Sequence, residues 1–313
     1  MAGDETMCSR RKALRCMASA GAGALFVLAG GVLTPVDLAS AASKTDRSLR
    51  SGKTMFVQVS DTHIGFDMDP NHDVDSTLLQ TIQHVNALPE QPALVIHTGD
   101  ITNYAKPAEF ETAQHLLSRL RVAEVHTVPG EHDIADPGAT DYFRSFGKPS
   151  RNKGYYSFDH SGVHFVALVN VLELQPSGLG MLGDEQLAWV ESDLRGQSDS
   201  TPIVVFAHIP LWTVYERWGW GTGDAAVLMG YLRRFGSVVV LNGHIHQIMQ
   251  KVEGNVIFHT ARSTAFPLPL AGATPTLAPL QVGADDLPRM LGITSVSLRQ
   301  YPRALELADS TLA

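Results

Sequence analysis

Cysteine is nearly missing from this chain: 313 residues hold two, Cys8 and Cys16. Both precede residue 41, so a body that begins beyond that point carries no thiol. A disulfide framework, a zinc–thiolate site and a thiolate-held cluster are thereby excluded from it. Basic charge is also scarce. Lys plus Arg total 24 against 32 Asp plus Glu, for a formal net charge of −8. So acidic a chain has no general attraction for nucleic-acid backbone, which argues against a long duplex as a partner. Long apolar runs are lacking too, since no segment offers the about 20 strongly apolar residues of a membrane span. No repeat of solenoid period is visible. What remains is ordinary for a globular domain, with 44% hydrophobic and 18% charged residues.

The first 41 residues read as an export signal. Ser9-Arg10-Arg11-Lys12-Ala13-Leu14 is a twin-arginine pattern, residues 18–33 are apolar and rich in Gly and Ala, and Ala39-Ser40-Ala41 is a small-x-small cleavage site. The expected organisation is a signal over 1–41, a polar linker over 42–54 and a single domain over 55–313. Export by the twin-arginine machinery to the periplasm or the exterior follows, with an uncleaved membrane anchor as the alternative. Cys16 precedes the apolar stretch, which is not where a lipoprotein cysteine sits. Removing the leader takes the net charge to −9.

Five apolar runs, at 55–60, 93–98, 122–129, 202–206 and 237–242, read as buried strands. Each is followed by a short polar block: Asp61-Thr62-His63, Gly99-Asp100, Gly130-Glu131-His132-Asp133, Ala207-His208 and Gly243-His244-Ile245-His246. Parallel or mixed sheets collect such loops at one edge, and ligands bind outside the carboxyl ends of the strands. Asp61 and His63, like His244 and His246, are two apart and share a face if the chain there is extended. Carboxylate oxygens with imidazoles suit divalent Zn, Mn or Fe. Apolar spacing predicts helices over 76–88, 107–120, 141–146, 183–194 and 224–235 between the strands, with hairpins around 160–162 and 253–255.

In order and content these blocks resemble the signature of the calcineurin-like metallophosphoesterases: D-x-H, G-D, G-N-H-[DE], a lone His and G-H-x-H. The leader makes the chain similar to exported bacterial members near the cyclic-nucleotide phosphodiesterase branch. The resemblance implies an α/β fold, a four-layer αββα sandwich of two mixed β-sheets flanked by helices. It implies two divalent ions (Mn, Fe or Zn), one held by Asp61, His63, Asp100 and His246, the other by Asp100, Glu131, His208 and His244. His132 takes the place of the catalytic histidine and Asp133 that of the acid orienting it. The implied reaction is in-line attack of activated water on a small phosphodiester, such as a cyclic nucleotide, or on a phosphomonoester. One block departs, because Glu131 stands where the family has Asn. Two readings follow: an enzyme with altered metal preference, or a metal-poor, non-catalytic domain used as a binding surface.

Other residues carry weaker signals. Trp212, Trp218 and Trp220 lie in one loop, read either as packing or as an aromatic wall over the substrate. Asn103 and Arg262 are candidates for substrate contact. His164, among alternating core residues, reads as a sheet residue. The Pro-rich stretch 266–288 reads as an irregular rim or a subunit contact, and 295–299 and 304–307 as edge strands.

Overall fold

The computed structural model describes residues 25–29, 32–36, 54–150, 153–300 and 303–313. The chain divides into two units, Met1–Ser51 and Gly52–Ala313. In the first, β1 (Leu25–Ala29) pairs antiparallel with β2 (Val32–Val36). The twin-arginine pattern, the small-residue cleavage site and most of the linker lie outside the described residues. Among the described residues no helix is long and apolar enough to cross a membrane.

The second unit is built on two sheets. β3 (Thr54–Val59), β4 (Leu94–His97) and β5 (Glu124–Thr127) run parallel in a five-stranded sheet of order β13-β12-β3-β4-β5. β12 (Gly292–Gln300) and β13 (Arg303–Thr311) complete it as antiparallel strands. The expected pair of edge strands is thus corrected: β13 is the edge, and β12 lies between it and β3. The other sheet has six strands in the order β10-β11-β9-β8-β7-β6. Its parallel centre is β7 (Val163–Ala167), β8 (Ile203–Phe206), β9 (Val238–Asn242) and β11 (Val256–Thr260). β6 (Tyr156–His160) and β10 (Gln250–Glu253) flank it antiparallel.

Alternation along the strands divides the apolar residues between layers. Phe56, Leu94 and Ile96 of one sheet meet Phe165, Val204, Phe206 and Leu241 of the other in a shared inner core. Their neighbours point outward. Val57, Val59 and Val95 pack under α1 (Val74–Asn86) and α2 (Pro107–Leu117). Ile203, Val205, Val238 and Val240 pack under α4 (Asp184–Arg195) and α5 (Ala225–Leu232), while the short α3 (Thr140–Phe146) lies with the first group. The four-layer sandwich is therefore the observed fold.

Local chemistry sets the helix starts. Asp73 accepts a bond from Ser76 N at 3.0 Å, so α1 begins two residues before the expected start. Pro107 opens α2, and Glu109 accepts from Lys106 N at 3.3 Å. His164 is a buried sheet residue, held at 2.8 Å by both Asp159 and Asp193.

Phe165 tests the inner core. It is fully buried, 5.4 Å from Phe56 edge-on and 4.7 Å from Phe158 in a stack. Phe165→Ala is expected to cost about 3–5 kcal/mol, read as a lower urea midpoint with an unchanged slope. Val227→Ala on the exposed side of α5 is expected to stay within about 0.5 kcal/mol.

Candidate metal centre

Because β3, β4, β5, β8 and β9 run parallel within their sheets, their carboxyl ends present loops along one edge. The loops are not extended. Asp61, His63, Asp100, His244 and His246 all have positive φ, between 43° and 68°. The pairing of Asp61 with His63, and of His244 with His246, thus comes from left-handed turns and not from strand alternation. Such backbone costs of order 1–3 kcal/mol per residue and survives only where its surroundings over-determine it. Here they do. Asp61 N bonds Gly99 O, His63 N bonds Asp100 O and Gly243 N bonds His208 O, each at 3.0 Å. His244 N bonds Asp61 Oδ1 and His132 N bonds Asp100 Oδ1, each at 2.9 Å. At Gly99, φ is +97° and a Cβ would lie 2.6 Å from His208 Nδ1, so the turn has no room for another residue.

The side chains form two donor sets. In one, His63 Nε2 is 3.2 Å from His246 Nε2, and His246 Nε2 is 3.3 Å from Asp61 Oδ1. In the other, Glu131 is 2.9 Å from His208 Nε2 through one oxygen and 2.8 Å from His244 Nδ1 through the other. Asp100 Oδ2 lies between them, 3.6 Å from His63 Nε2 and 3.3 Å from His208 Nε2. Asp61, His63, Asp100, Glu131, His208, His244 and His246 are brought together in overlapping triads, Asp61–His63–His246, Glu131–His208–His244, Asp61–Asp100–His208 and His63–Asp100–His132, so His132 also lies within reach of the donors.

Proton positions decide whether a cation fits. His63 Nδ1 faces Asn103 Oδ1 at 3.1 Å, His208 Nδ1 faces Thr98 O at 2.7 Å, and His246 Nδ1 faces Phe266 O at 2.6 Å. Each oxygen takes the ring's N–H, which leaves the Nε2 lone pair pointing into the centre. Two bare nitrogens then face each other across the His63–His246 contact. Asp61 Oδ2, Glu131 Oε2, His208 Nε2 and both nitrogens of His244 are buried without a hydrogen bond. Lone pairs converge on lone pairs, an arrangement that divalent cations satisfy.

Without cations, protons meet the same crowding: burial opposes a charge on His208, yet Asp100 and Glu131 hold it well above the usual imidazole range. Burial opposes ionisation of Asp61, Asp100 and Glu131, yet the surrounding imidazoles hold all three below the usual carboxylate range. Burial pushes His63 down to about 3, keeping it neutral and able to ligate. Burial and the Asp100 charge push Asp133 up to about 6, although three backbone N–H groups work the other way.

Asp133 needs a correction. Its carboxylate does not bond the His132 ring. It binds Gly130 N at 2.9 Å, Ile101 N at 3.1 Å and Thr102 N at 2.8 Å, tying two loops together. His132 is oriented by a backbone carbonyl instead, with Nδ1 2.9 Å from Asn103 O. Burial lowers the His132 pKa, but Asp100 and Glu131 outweigh it and raise it overall. Asn103 lines the centre and holds His63.

A cavity of about 350 Å³ opens beside the donor sets. The Trp cluster is not in its lining. Trp220 is fully buried in the apolar cluster with Ile245, Ala265, Phe266 and Leu268, and Trp218 packs edge-on against it at 5.1 Å. Trp212 packs on Phe258, 5.2 Å away. Arg262 is also absent from the lining; its guanidinium bonds the carbonyls of Arg289 and Met290 at 3.3 Å. The wall is made by Phe66, Tyr104, Phe266, Leu268, Leu277 and Pro279. The Pro-rich stretch is therefore a rim. Its place followed from topology: it leaves β11, which is parallel to β9, and so emerges at the same edge. His97, inside an apolar run, carries no spacing signal in the sequence. It is buried behind the loops, accepting from Gly99 N at 3.2 Å and meeting Thr62 Oγ1 at 3.2 Å.

The profile of the calcineurin-like phosphoesterases matches residues 54–248. The chain belongs to that family. Its members form the metallophosphoesterase enzyme class. The chain is 28% identical over 193 residues to a 3',5'-cyclic-nucleotide phosphodiesterase of Nostoc sp., spanning 61% of this chain and 69% of that one. It is 26% identical over 237 residues to a glycerophosphodiester phosphodiesterase of Enterobacter lignolyticus, spanning 69% and 79%. A dimetal phosphatase from Danio rerio shares the fold with a TM-score of 0.59 at 13% identity, over 83% of this chain and all (100%) of that one.

Because Asp100 Oδ2 faces both donor sets, its loss should be felt in both. Wild-type protein loaded with Mn or Zn and desalted is expected to retain two equivalents by elemental analysis. Asp100→Asn should retain at most one, with affinity lowered by more than the about 10–100-fold typical of outer partners. Two equivalents in the variant would refute the shared position.

Proposed function

We propose that this chain is a dinuclear-metal phosphodiesterase acting on a small phosphodiester, with Mn, Fe or Zn held by Asp61, His63, Asp100 and His246 and by Asp100, Glu131, His208 and His244. The observation that carries the proposal is the pair of donor sets sharing Asp100 at the floor of a cavity whose lining has no Lys or Arg. When bound, two such ions lower the pKa of water toward about 7 and offset charge on the phosphoryl oxygens. The protein's own groups do the rest. Asn103, Thr98 and Phe266 fix the imidazole tautomers through their oxygens. His132, set by Asn103 O, faces the cavity to steady the phosphoryl group or give a proton to the leaving oxygen.

Charge favours a diester over a monoester. Two divalent cations bring four positive charges, and Asp61, Asp100 and Glu131 offset three of them. The family's Asn would offset one fewer. With no lysine or arginine in the lining, a monoanionic diester suits the site better than a dianionic monoester. The names of the cyclic-nucleotide and glycerophosphodiester relatives support the same choice. Chelator should abolish hydrolysis and Mn, Fe or Zn restore it. With p-nitrophenyl substrates, kcat/KM for the bis-ester should exceed that for the monoester at least about tenfold. His132→Ala should cost about 10²–10⁴-fold in kcat with alkoxide leaving groups and less with p-nitrophenolate, which needs no proton. A wild type silent with every metal, with Glu131→Asn gaining activity, would assign the binding-surface role instead.

We also propose export through the twin-arginine route, supported by Arg10 and Arg11 ahead of the apolar stretch. Arg10→Lys with Arg11→Lys should leave precursor in the cytoplasm on fractionation; normal export of that variant would end this reading.

A further inference from the structure

We propose that the wall beside the donor sets is a subsite for an apolar ester arm, so that the preferred diester carries an aryl or alkyl group there and not a polyol. The inference rests on the phosphodiesterase reading and names the class of substrate within it. The cavity has two unlike sides. Its floor is the imidazoles and carboxylates, with Asn103. Its wall is Phe66, Met68, Tyr104, Phe266, Leu277 and Pro279, whose side chains carry a single hydroxyl between them, on Tyr104.

The wall begins at the ligand rings themselves. Phe266 lies 4.8 Å from the His63 ring and 4.7 Å from the His246 ring, and Phe66 stacks on Phe266 at 4.3 Å. A group esterified to a phosphate on the floor therefore lies beside Phe66 and Phe266, buried rings that back the apolar surface at the cavity's inner end. Toward solvent the apolar surface continues: Met68 and Tyr104 are each 51% exposed and Leu277 39%. Large apolar side chains left open together at a cavity mouth mark a binding surface, whereas the same residues scattered singly would not.

The wall is held in place before any ligand arrives. Asn71 Nδ2 bonds Ala265 O at 2.7 Å. Gln247 Nε2 bonds Leu268 O at 3.1 Å and Pro269 O at 2.7 Å, and Leu280 N bonds Pro267 O at 2.8 Å. A preformed apolar wall binds an apolar arm without an ordering cost. A glycerol-like arm would leave water and find almost no partner, a loss that sites discriminate strongly.

The test uses metal-loaded protein and three non-hydrolysable analogues in which a methylene replaces the ester oxygen, the benzyl, ethyl and 3,4-dihydroxybutyl methylphosphinates, titrated by calorimetry. The benzyl phosphinate is expected to bind at least about tenfold more tightly than the dihydroxybutyl phosphinate, with a negative heat-capacity change from apolar burial. Leu277→Asp, at an exposed rim position, should cut that ratio to about threefold or less. Equal affinities, a preference for the dihydroxybutyl phosphinate, or a ratio that Leu277→Asp does not move would overturn the subsite. A parallel assay with hydrolysable diesters separates the two readings. Hydrolysis with a binding ratio near one removes the subsite and keeps the phosphodiesterase. A tenfold ratio without hydrolysis under any metal keeps the subsite and removes the phosphodiesterase.

Discussion

Buried carboxylates set the terms for this molecule. Asp61 and Asp100 are at most 2% exposed, and Glu131 joins them at the same sheet edge. Ionised groups so placed repel one another and cannot be left without positive partners. Thr98 O, Asn103 Oδ1 and Phe266 O each take the proton on the outer nitrogen of an imidazole, so a neutral ring turns its lone pair inward. Carboxylates thus face lone pairs. The arrangement is coherent as a cation site and incoherent as a network of hydrogen bonds, and the layers behind it hold it against its own repulsion.

Holding it requires both sheets. Asp61, His63, Asp100 and Glu131 come from the loops after β3, β4 and β5, and His208, His244 and His246 from those after β8 and β9. The inner core of Phe56, Ile96, Phe165 and Phe206 fixes the spacing of the sheets, and so the gap that the ligands span. Cross-sheet bonds then fix the loops: Gln58 Nε2 to Asn242 O at 3.0 Å, Ser263 Oγ to Asp61 O at 2.7 Å and His244 N to Asp61 Oδ1 at 2.9 Å. The left-handed turns at five ligand positions are tolerated because this frame leaves them no alternative.

Much of this was legible in the residues alone. Both-face burial makes β4, β8 and β9 largely apolar runs, and the polar blocks at their ends placed the carboxylates and imidazoles at one edge. What stayed hidden has physical causes. The role of Asp133 depends on which amides surround it, and no spacing rule encodes that. The tryptophans at 212, 218 and 220 signal apolar mass without direction; of the two readings they allow, packing holds for Trp220, which is turned into the core. The true wall lies in a Pro-rich segment with no periodic pattern. Its relevance appears only once β11 is known to run beside β9, and strand order is a tertiary fact.

Glu131 joins these threads. Its two oxygens reach His208 and His244, imidazoles delivered by different strands of the opposite sheet. Because His208 Nδ1 is engaged with Thr98 O, the nitrogen that meets Glu131 turns a lone pair toward it. An asparagine could offer its NH₂ group to that lone pair, whereas a carboxylate brings only acceptors. Glu131 is therefore matched to these rings through a cation between them and not through a hydrogen bond. The departure from the family pattern thus reads as a site adjusted in charge, consistent with a centre that offers less positive field and, beside it, a wall without a cationic side chain.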